Sequence, residues 1–361
     1  MGLEERLRAV VDPLLGQPLG EIDALRSVER DGTRARLTVQ LPAPGERLRH
    51  ETLGRLLEAA RGEGVEQLEV SWLTKMPSRP IGPDDPVPSV RNLLLVMAGK
   101  GGVGKSTVAC NLAVAFAAMG LRTGLLDADV YGPSIPTMMG IEGPLSADEQ
   151  RKIRPHERLG IALMSLGFML ENPTQAVIWR GPMLSSALRQ MLGDVGWGDR
   201  DVLVIDAPPG TGDVAITLSQ SAKGASVLLV TTPQEVALSD VYKCVTMCRK
   251  LELPIVGVVE NMSWFVDSAG VRHTPFGQGG GARIAEMAGA PLLGQIPLEP
   301  AVCEQGDAGD PIVHARPDSA AARAFVELAE RVAEQLARLQ FERGGVRAIT
   351  GSAPRRLRIV R

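Results

Sequence analysis

Apolar and polar positions along this chain follow two different plans, one on each side of a run of prolines. In the N-terminal part, apolar residues recur at helical spacing over 3–11 and 48–60, and at strand spacing over 25–29, 35–41 and 67–72. That pattern predicts a small α+β unit. Beyond the prolines, short continuous apolar runs at 92–98, 123–127, 202–206, 226–231, 255–260 and 292–296 alternate with amphipathic, helix-length segments. Strands apolar on both faces with helical crossovers predict an α/β architecture, a parallel sheet with helices on both faces. A long final helix is expected over 319–339. Between the two plans, Pro77, Pro80, Pro83, Pro86 and Pro88 make a stiff, extended segment that joins neither a helix nor a central strand. The expected organisation is a small α+β domain over 1–75, a proline-rich linker over 76–91, a parallel-sheet domain over 92–340 and a basic tail over 341–361. The tail has arginines, glycines and little periodicity, which reads as a flexible, solvated segment, with an acidic partner as the sharper alternative.

The first continuous run leads into Gly99-Lys100-Gly101-Gly102-Val103-Gly104-Lys105-Ser106, and a helical pattern begins at Thr107. Small residues between a strand and a helix let backbone N–H groups turn inward around an anion, and the helix adds the positive end of its dipole. In such a phosphate loop Lys105 reaches the β- and γ-phosphates and the Ser106 hydroxyl holds Mg²⁺. Gly99 through Thr107 are therefore the expected nucleotide-binding residues. Two later strands end in acids. Leu125-Leu126-Asp127-Ala128-Asp129 places two carboxylates at the ligand edge of a parallel sheet, and Asp129 is the candidate for orienting the attacking water. Val202-Leu203-Val204-Ile205 leads to Asp206, the usual strand-end partner for Mg²⁺ in phosphate-loop enzymes. The Ala207-Pro208-Pro209-Gly210-Thr211-Gly212-Asp213 segment that follows reads as a switch, with Pro208, Pro209 and Gly210 near the γ-phosphate.

Composition narrows the setting. With 361 residues, 44% hydrophobic and 22% charged, the chain reads as soluble and globular. A net charge of -3 supplies no basic field for nucleic acid, and no apolar stretch approaches a membrane span. The four cysteines, Cys110, Cys244, Cys248 and Cys303, are too scattered for a disulfide framework, which points to a reducing cytoplasm.

Lys100 inside the loop, Asp127-Ala128-Asp129 and Asp206-Ala207-Pro208-Pro209-Gly210 together resemble the deviant Walker A ATPases, the group of MinD, ParA, the nitrogenase iron protein and the Mrp/ApbC iron–sulfur cluster carriers. Tyr131-Gly132-Pro133-Ser134-Ile135-Pro136, Trp179-Arg180-Gly181-Pro182-Met183, Thr232-Pro233-Gln234 and Glu260-Asn261-Met262-Ser263 are similar to the Mrp/ApbC branch, over about residues 92–315. The N-terminal unit, with Asp12-Pro13 and Gly16, resembles the small domain that often precedes that ATPase. The resemblance implies ATP and Mg²⁺ as cofactors and a homodimer in which Lys100 of one subunit reaches the nucleotide of the other. ATP would tighten the interface and hydrolysis would loosen it. Lys100, Lys105 and Asp129 would then be catalytic, Ser106 and Asp206 would hold Mg²⁺, and Asn261 would contact adenine. The implied partners are iron–sulfur apoproteins or assembly factors.

The chain departs from that family at one place. Its members carry a C-x-x-C pair shortly after the Asn-Met-Ser stretch, and two such pairs hold one [4Fe-4S] cluster across the dimer. Here Asp267 and Ser268 stand where the first cysteine belongs, and no second one follows. Oxygen ligands are poor replacements for thiolates at such a cluster. Cys244 and Cys248 are one helical turn apart and share a face, but among Val241, Val245 and Met247 they read as core. The cluster ligands are thus unidentified from sequence. Beside the carrier reading stand a MinD/ParA-like switch that positions a partner, and a nucleotide-bound scaffold that delivers clients.

Overall fold

In the computed structural model, residues 2–129, 132–149, 151–169 and 181–350 are described. They fall into two units: residues up to Ile81 together with those from Ala333 onward, and Gly82–Val332. The first unit opens with α1 (Leu3–Ala9), then the antiparallel pair β1 (Leu25–Asp31) and β2 (Arg34–Leu41). Helix α2 (Glu46–Arg61) then crosses over to β3 (Gln67–Thr74), which pairs parallel to β2. Along β2, Ala35, Leu37, Val39 and Leu41 are buried and Arg34 and Arg36 exposed, the alternation of a sheet with one covered face. Leu48, Thr52, Leu56 and Ala60 form the buried stripe of α2.

The second unit begins with β4 (Leu93–Ala98), α3 (Lys105–Ala118), β5 (Thr123–Asp127) and α4 (Ile135–Met138). A short ribbon of β6 (Ser146–Ala147) and β7 (Ile153–Arg154) precedes β8 (His156–Arg158) and β9 (Ile161–Ser165). The alternation resumes with α5 (Gly181–Gly193), β10 (Val202–Asp206), α6 (Asp213–Ser221), β11 (Ser226–Thr231), α7 (Glu235–Lys250) and β12 (Ile255–Glu260). A hairpin of β13 (Phe265–Val266) and β14 (Arg272–His273) is followed by α8 (Gly280–Ala288), β15 (Leu292–Gln295), α9 (Pro300–Asp307) and α10 (Ile312–Ala315).

Eight of these strands form one sheet in the order β15-β12-β11-β4-β10-β5-β9-β8. Every neighbouring pair is parallel except β8 with β9 at one edge. β4, β5, β10 and β11 are buried along their whole length, as a sheet covered on both faces requires. Helix α3, between β4 and β5 in the chain, buries Val108 through Phe116 on every side. β8 and β9 were not among the expected strands. Ile161-Ala162-Leu163-Met164 carries the same apolar signal, but it is short and stands among the breakers Pro155, Gly160 and Gly167.

The chain ends with α11 (Ala320–Gly344) and α12 (Val346–Thr350). The expected flexible tail from 341 is corrected over its first part: residues 341–344 complete α11, Ala348 and Ile349 are buried, and the Ala348 carbonyl accepts from the Ser78 N–H at 2.8 Å. Apolar burial and a backbone hydrogen bond outweigh the glycines and arginines there. Residues 351–361 lie outside the described residues. Along the proline-rich segment, Met76 and Arg79 are buried in the first unit and Val87 and Val90 in the second.

The hairpin lies in the segment where the resemblance leads one to expect a cysteine pair. Asp267 Oδ1 accepts from the N–H groups of Ala269 and Val271, both at 2.9 Å, and Oδ2 lies 2.7 Å from His273 Nε2. The Phe265 and His273 rings stack with centroids 5.0 Å apart, and Arg272 lies 3.8 Å above the Trp264 ring. The turn is held by an aspartate that caps it.

Two outcomes follow from these contacts. Trp197 is 2% exposed and its indole N–H donates to the Met191 carbonyl at 3.1 Å; Trp197→Ala is expected to cost about 3–5 kcal/mol in urea unfolding of the second unit. The hydrogen bond from His273, then that from Val271, holds the Asp267 carboxyl below its ordinary value. A depressed carboxyl stabilises above its unfolded value and loses that contribution as the pH falls through the folded one. Acidification below about pH 4 is therefore expected to open the turn, read as faster amide exchange at Ala269 and Val271, with no such step in Asp267→Asn.

Candidate nucleotide site

Strand order reverses around β4, because β5 and β10 lie to one side of it and β11 to the other. A parallel sheet binds its ligand beyond the carboxyl ends of its strands at such a point. Register places Asp206 beside Asp127 on one side and Val96 on the other, so two acids and the start of the 99–104 loop share one edge.

Two glycines shape that loop by close approach. A Cβ on Gly99 would collide with the backbone of Asp240 and Val241 in α7, and one on Gly104 would collide with the Asn261 side-chain amide. Gly104 also holds φ +77 as the residue before α3, a left-handed conformation that glycine takes without strain. Helix α3 thus starts at Lys105, and its N-terminal end faces the loop.

Lys105 is 6% exposed and is held by two carboxylates: Asp206 Oδ1 lies 2.5 Å from its Nζ and Asp129 Oδ2 3.4 Å. Ser106 Oγ is 3.3 Å from the same Nζ. Burial pushes the Asp206 carboxyl up, and the Lys105 charge works against that. Burial, and then the charge of Asp206, push Asp127 up to about 8. Asp127 therefore serves as a fixed strut, accepting from the Asp129 N–H (3.2 Å), the Ile135 N–H (3.3 Å) and the Ser165 hydroxyl (2.9 Å). Reading the sequence singled out Asp129 and left this holding role of Asp127 unassigned. Asp206 Oδ2 is buried with no hydrogen-bond partner among the described residues. That orphaned carboxylate oxygen, with the Ser106 hydroxyl beside the same ammonium, is a hard-oxygen donor set that fits Mg²⁺.

Lys100 is half-buried and has no ion-pair partner among the described residues. Pro208 is buried, Pro209 and Gly210 half-buried, and the Gly210 N–H donates to the Ala98 carbonyl at 2.9 Å. The expected switch therefore starts out anchored to the strand that carries the phosphate loop. Asn261 is 5% exposed, and its Nδ2 donates to the Val103 carbonyl at 2.9 Å. The amide assigned from the family to adenine is thus bonded to the loop itself. Tyr131 and Trp179-Arg180 lie outside the described residues.

The cysteines are not gathered. Cys110, Cys244 and Cys248 are buried and Cys303 is exposed. Cys244 Sγ lies 3.9 Å from the Gly210 carbonyl, and burial pushes the thiols of Cys244 and Cys248 up to about 12 and about 11. Neutral, dry thiols on α7 are packing groups. Among the described residues no group of three or more His, Cys, Asp or Glu side chains is placed to hold a metal ion.

Comparison with known proteins follows the two units. A family model described as the NUBPL iron-transfer P-loop NTPase matches residues 89–333. A second, described as an iron-sulfur cluster assembly protein, matches residues 3–72. The iron-sulfur cluster carrier protein of Synechocystis is 41% identical over 335 residues, covering 91% of this chain and 95% of that one. Its counterpart in Aquifex aeolicus is 49% identical over 246 residues, 68% of each. Among solved structures, the nucleotide-binding protein of Archaeoglobus fulgidus in complex with ADP superposes with a TM-score of 0.56 at 36% identity, over 64% of this chain and 92% of its own. The cell division ATPase MinD of Pyrococcus furiosus gives a TM-score of 0.52 at 25% identity, over 67% of this chain and 98% of its own. A phosphate loop on the switch-point strand, a lysine between two strand-end acids and these matches lead to one conclusion: the chain is a P-loop ATPase belonging to the NUBPL iron-transfer family.

Proposed function

We propose that the chain is a Mg²⁺-dependent ATPase of iron–sulfur protein maturation that hands a cluster, or a client apoprotein, onward from an ATP-switched homodimer. The observation that carries this reading is the tandem itself: an iron-sulfur assembly module over 3–72 precedes the phosphate-loop module over 89–333, and relatives named iron-sulfur cluster carrier protein match across both. Bound Mg²⁺ supplies neutralising charge at the β- and γ-phosphates, and Ser106 and Asp206 are the residues that would hold it. Lys105, held by Asp206 and Asp129 within the site, meets the β- and γ-phosphates in this reading. Asp129 orients the attacking water, and Lys100 reaches the partner subunit's nucleotide, where a second cation stabilises charge on the transferred group. Pro208, Pro209 and Gly210 carry the switch to the interface.

Direct cluster ligation departs from the family pattern here, because the hairpin offers Asp267 and Ser268 where thiolates belong. A client-delivery role without a resident cluster is the second reading that this observation favours. Among the described residues no helix is long and apolar enough to cross a membrane, and the reading places the protein in the cytoplasm.

Anaerobic reconstitution with iron and sulfide separates the two. About two Fe per subunit, with visible absorption lost in Cys244→Ala/Cys248→Ala, supports a carrier that uses α7; absence of any cluster favours delivery alone. For turnover, Lys105→Ala is expected to abolish ATP binding or hydrolysis. Lys100→Ala is expected to keep ATP binding and lower the hydrolysis rate by about 10³-fold, as removal of a transition-state cation does. Wild-type hydrolysis in Lys100→Ala would refute its role across the dimer.

A further inference from the structure

Asn261 is held by its backbone before its side chain acts. Its N–H donates to the Thr231 carbonyl at the end of β11 at 2.8 Å. On either side, the Glu260 carbonyl accepts from the Ile296 N–H at 2.9 Å, and the Ser263 N–H donates to the Ile296 carbonyl at 2.9 Å. Met262 takes φ +56, a left-handed conformation uncommon for a residue with a long side chain, so the chain bends sharply just after position 261. The result is a short, tied segment that aims one amide at the phosphate loop.

The target of that amide is informative. Its Nδ2 bonds the Val103 carbonyl at 2.9 Å and lies where a Cβ on residue 104 would sit. Val103 C=O and Gly104 N–H belong to one planar trans peptide and point in opposite directions. Holding the carbonyl toward Asn261 therefore turns the Gly104 N–H away from it, toward the interior of the loop where an anion is bound. An inward-facing amide needs its carbonyl satisfied on the outside, and a buried carbonyl without a partner is costly.

From this geometry we propose that Asn261 is a positioning residue for phosphate binding: its side-chain amide locks the Val103–Gly104 peptide in the anion-facing orientation. This rests on reading 99–107 as the nucleotide loop. The role is distinct from contact with a base, and the remaining oxygen of the same amide stays available for one. Base site and phosphate loop then share a side chain, so a ligand that orders one orders the other.

The test uses the full chain, Asn261→Ala and Asn261→Asp, and three probes measured by calorimetry with Mg²⁺: ATP, inorganic tripolyphosphate and adenosine. Loss of the clamp is expected to raise Kd for ATP and for tripolyphosphate by about tenfold each, the tripolyphosphate arm reading the loop without any base contact. Amide exchange in the ligand-free variants is expected to accelerate over 101–105 and not in β4, a local signature that general destabilisation does not give. Asn261→Asp keeps the shape but sets an oxygen against the Val103 carbonyl, so the outcome does not depend on Asn261→Ala folding. Unchanged tripolyphosphate affinity with weakened ATP and adenosine would mark a base reader and overturn the proposal, as would loop exchange at the wild-type rate. Failure of the wild-type chain to bind either phosphate ligand would instead strike at the nucleotide-loop reading itself.

Discussion

Lys105 lies buried between carboxylates from two strand ends, and the second unit is built around that contact. An ammonium 6% exposed is stable only with close partners; Asp206 supplies one at 2.5 Å and Asp129 another at 3.4 Å. Removing one member of such a pair leaves an uncompensated buried charge, at about 3–5 kcal/mol. One cation does not neutralise Asp127, Asp129 and Asp206 together. Burial and then the charge of Asp206 push the Asp127 carboxyl up, and Asp206 Oδ2 is buried with no hydrogen-bond partner among the described residues. A buried carboxylate oxygen without a partner is the kind of hard donor that suits a divalent cation.

The loop is fixed by close approach. α7 crosses at Gly99, the Asn261 side-chain amide covers Gly104, and Gly210 bonds Ala98 at the end of β4. The same helix α7 sets Cys244 against the Gly210 carbonyl. Its thiols belong to the packing between α7 and the segment after β10.

The hairpin over 265–273 is held together by its own side chains. With no thiols to be organised by a cluster, Asp267 caps the turn and meets His273, while Arg272 and Trp264 stack beside it. These contacts are internal to the hairpin and need no metal.

Much of this was legible in the sequence. Continuous apolar runs named β4, β5, β10, β11, β12 and β15, because a strand buried on both faces has nowhere to place a polar residue. The glycine-rich loop, Lys105 and the acids ending β5 and β10 were legible because phosphate chemistry demands those residue types at those places. Composition misjudged residues 341–350, where burial of Ala348 and Ile349 overrides glycine and arginine content, and it passed over β9, whose pairing with β5 depends on a neighbour distant in sequence. What only the tertiary structure decided is which groups meet: that Asp127 braces while Asp129 and Asp206 hold the lysine, that the Asn261 amide bonds the loop, and that Cys244 lies against the Gly210 carbonyl. A sequence specifies local conformation and the chemistry on offer. Which donor finds which acceptor is settled by strand order and register, contacts between residues far apart in the chain that no local pattern records.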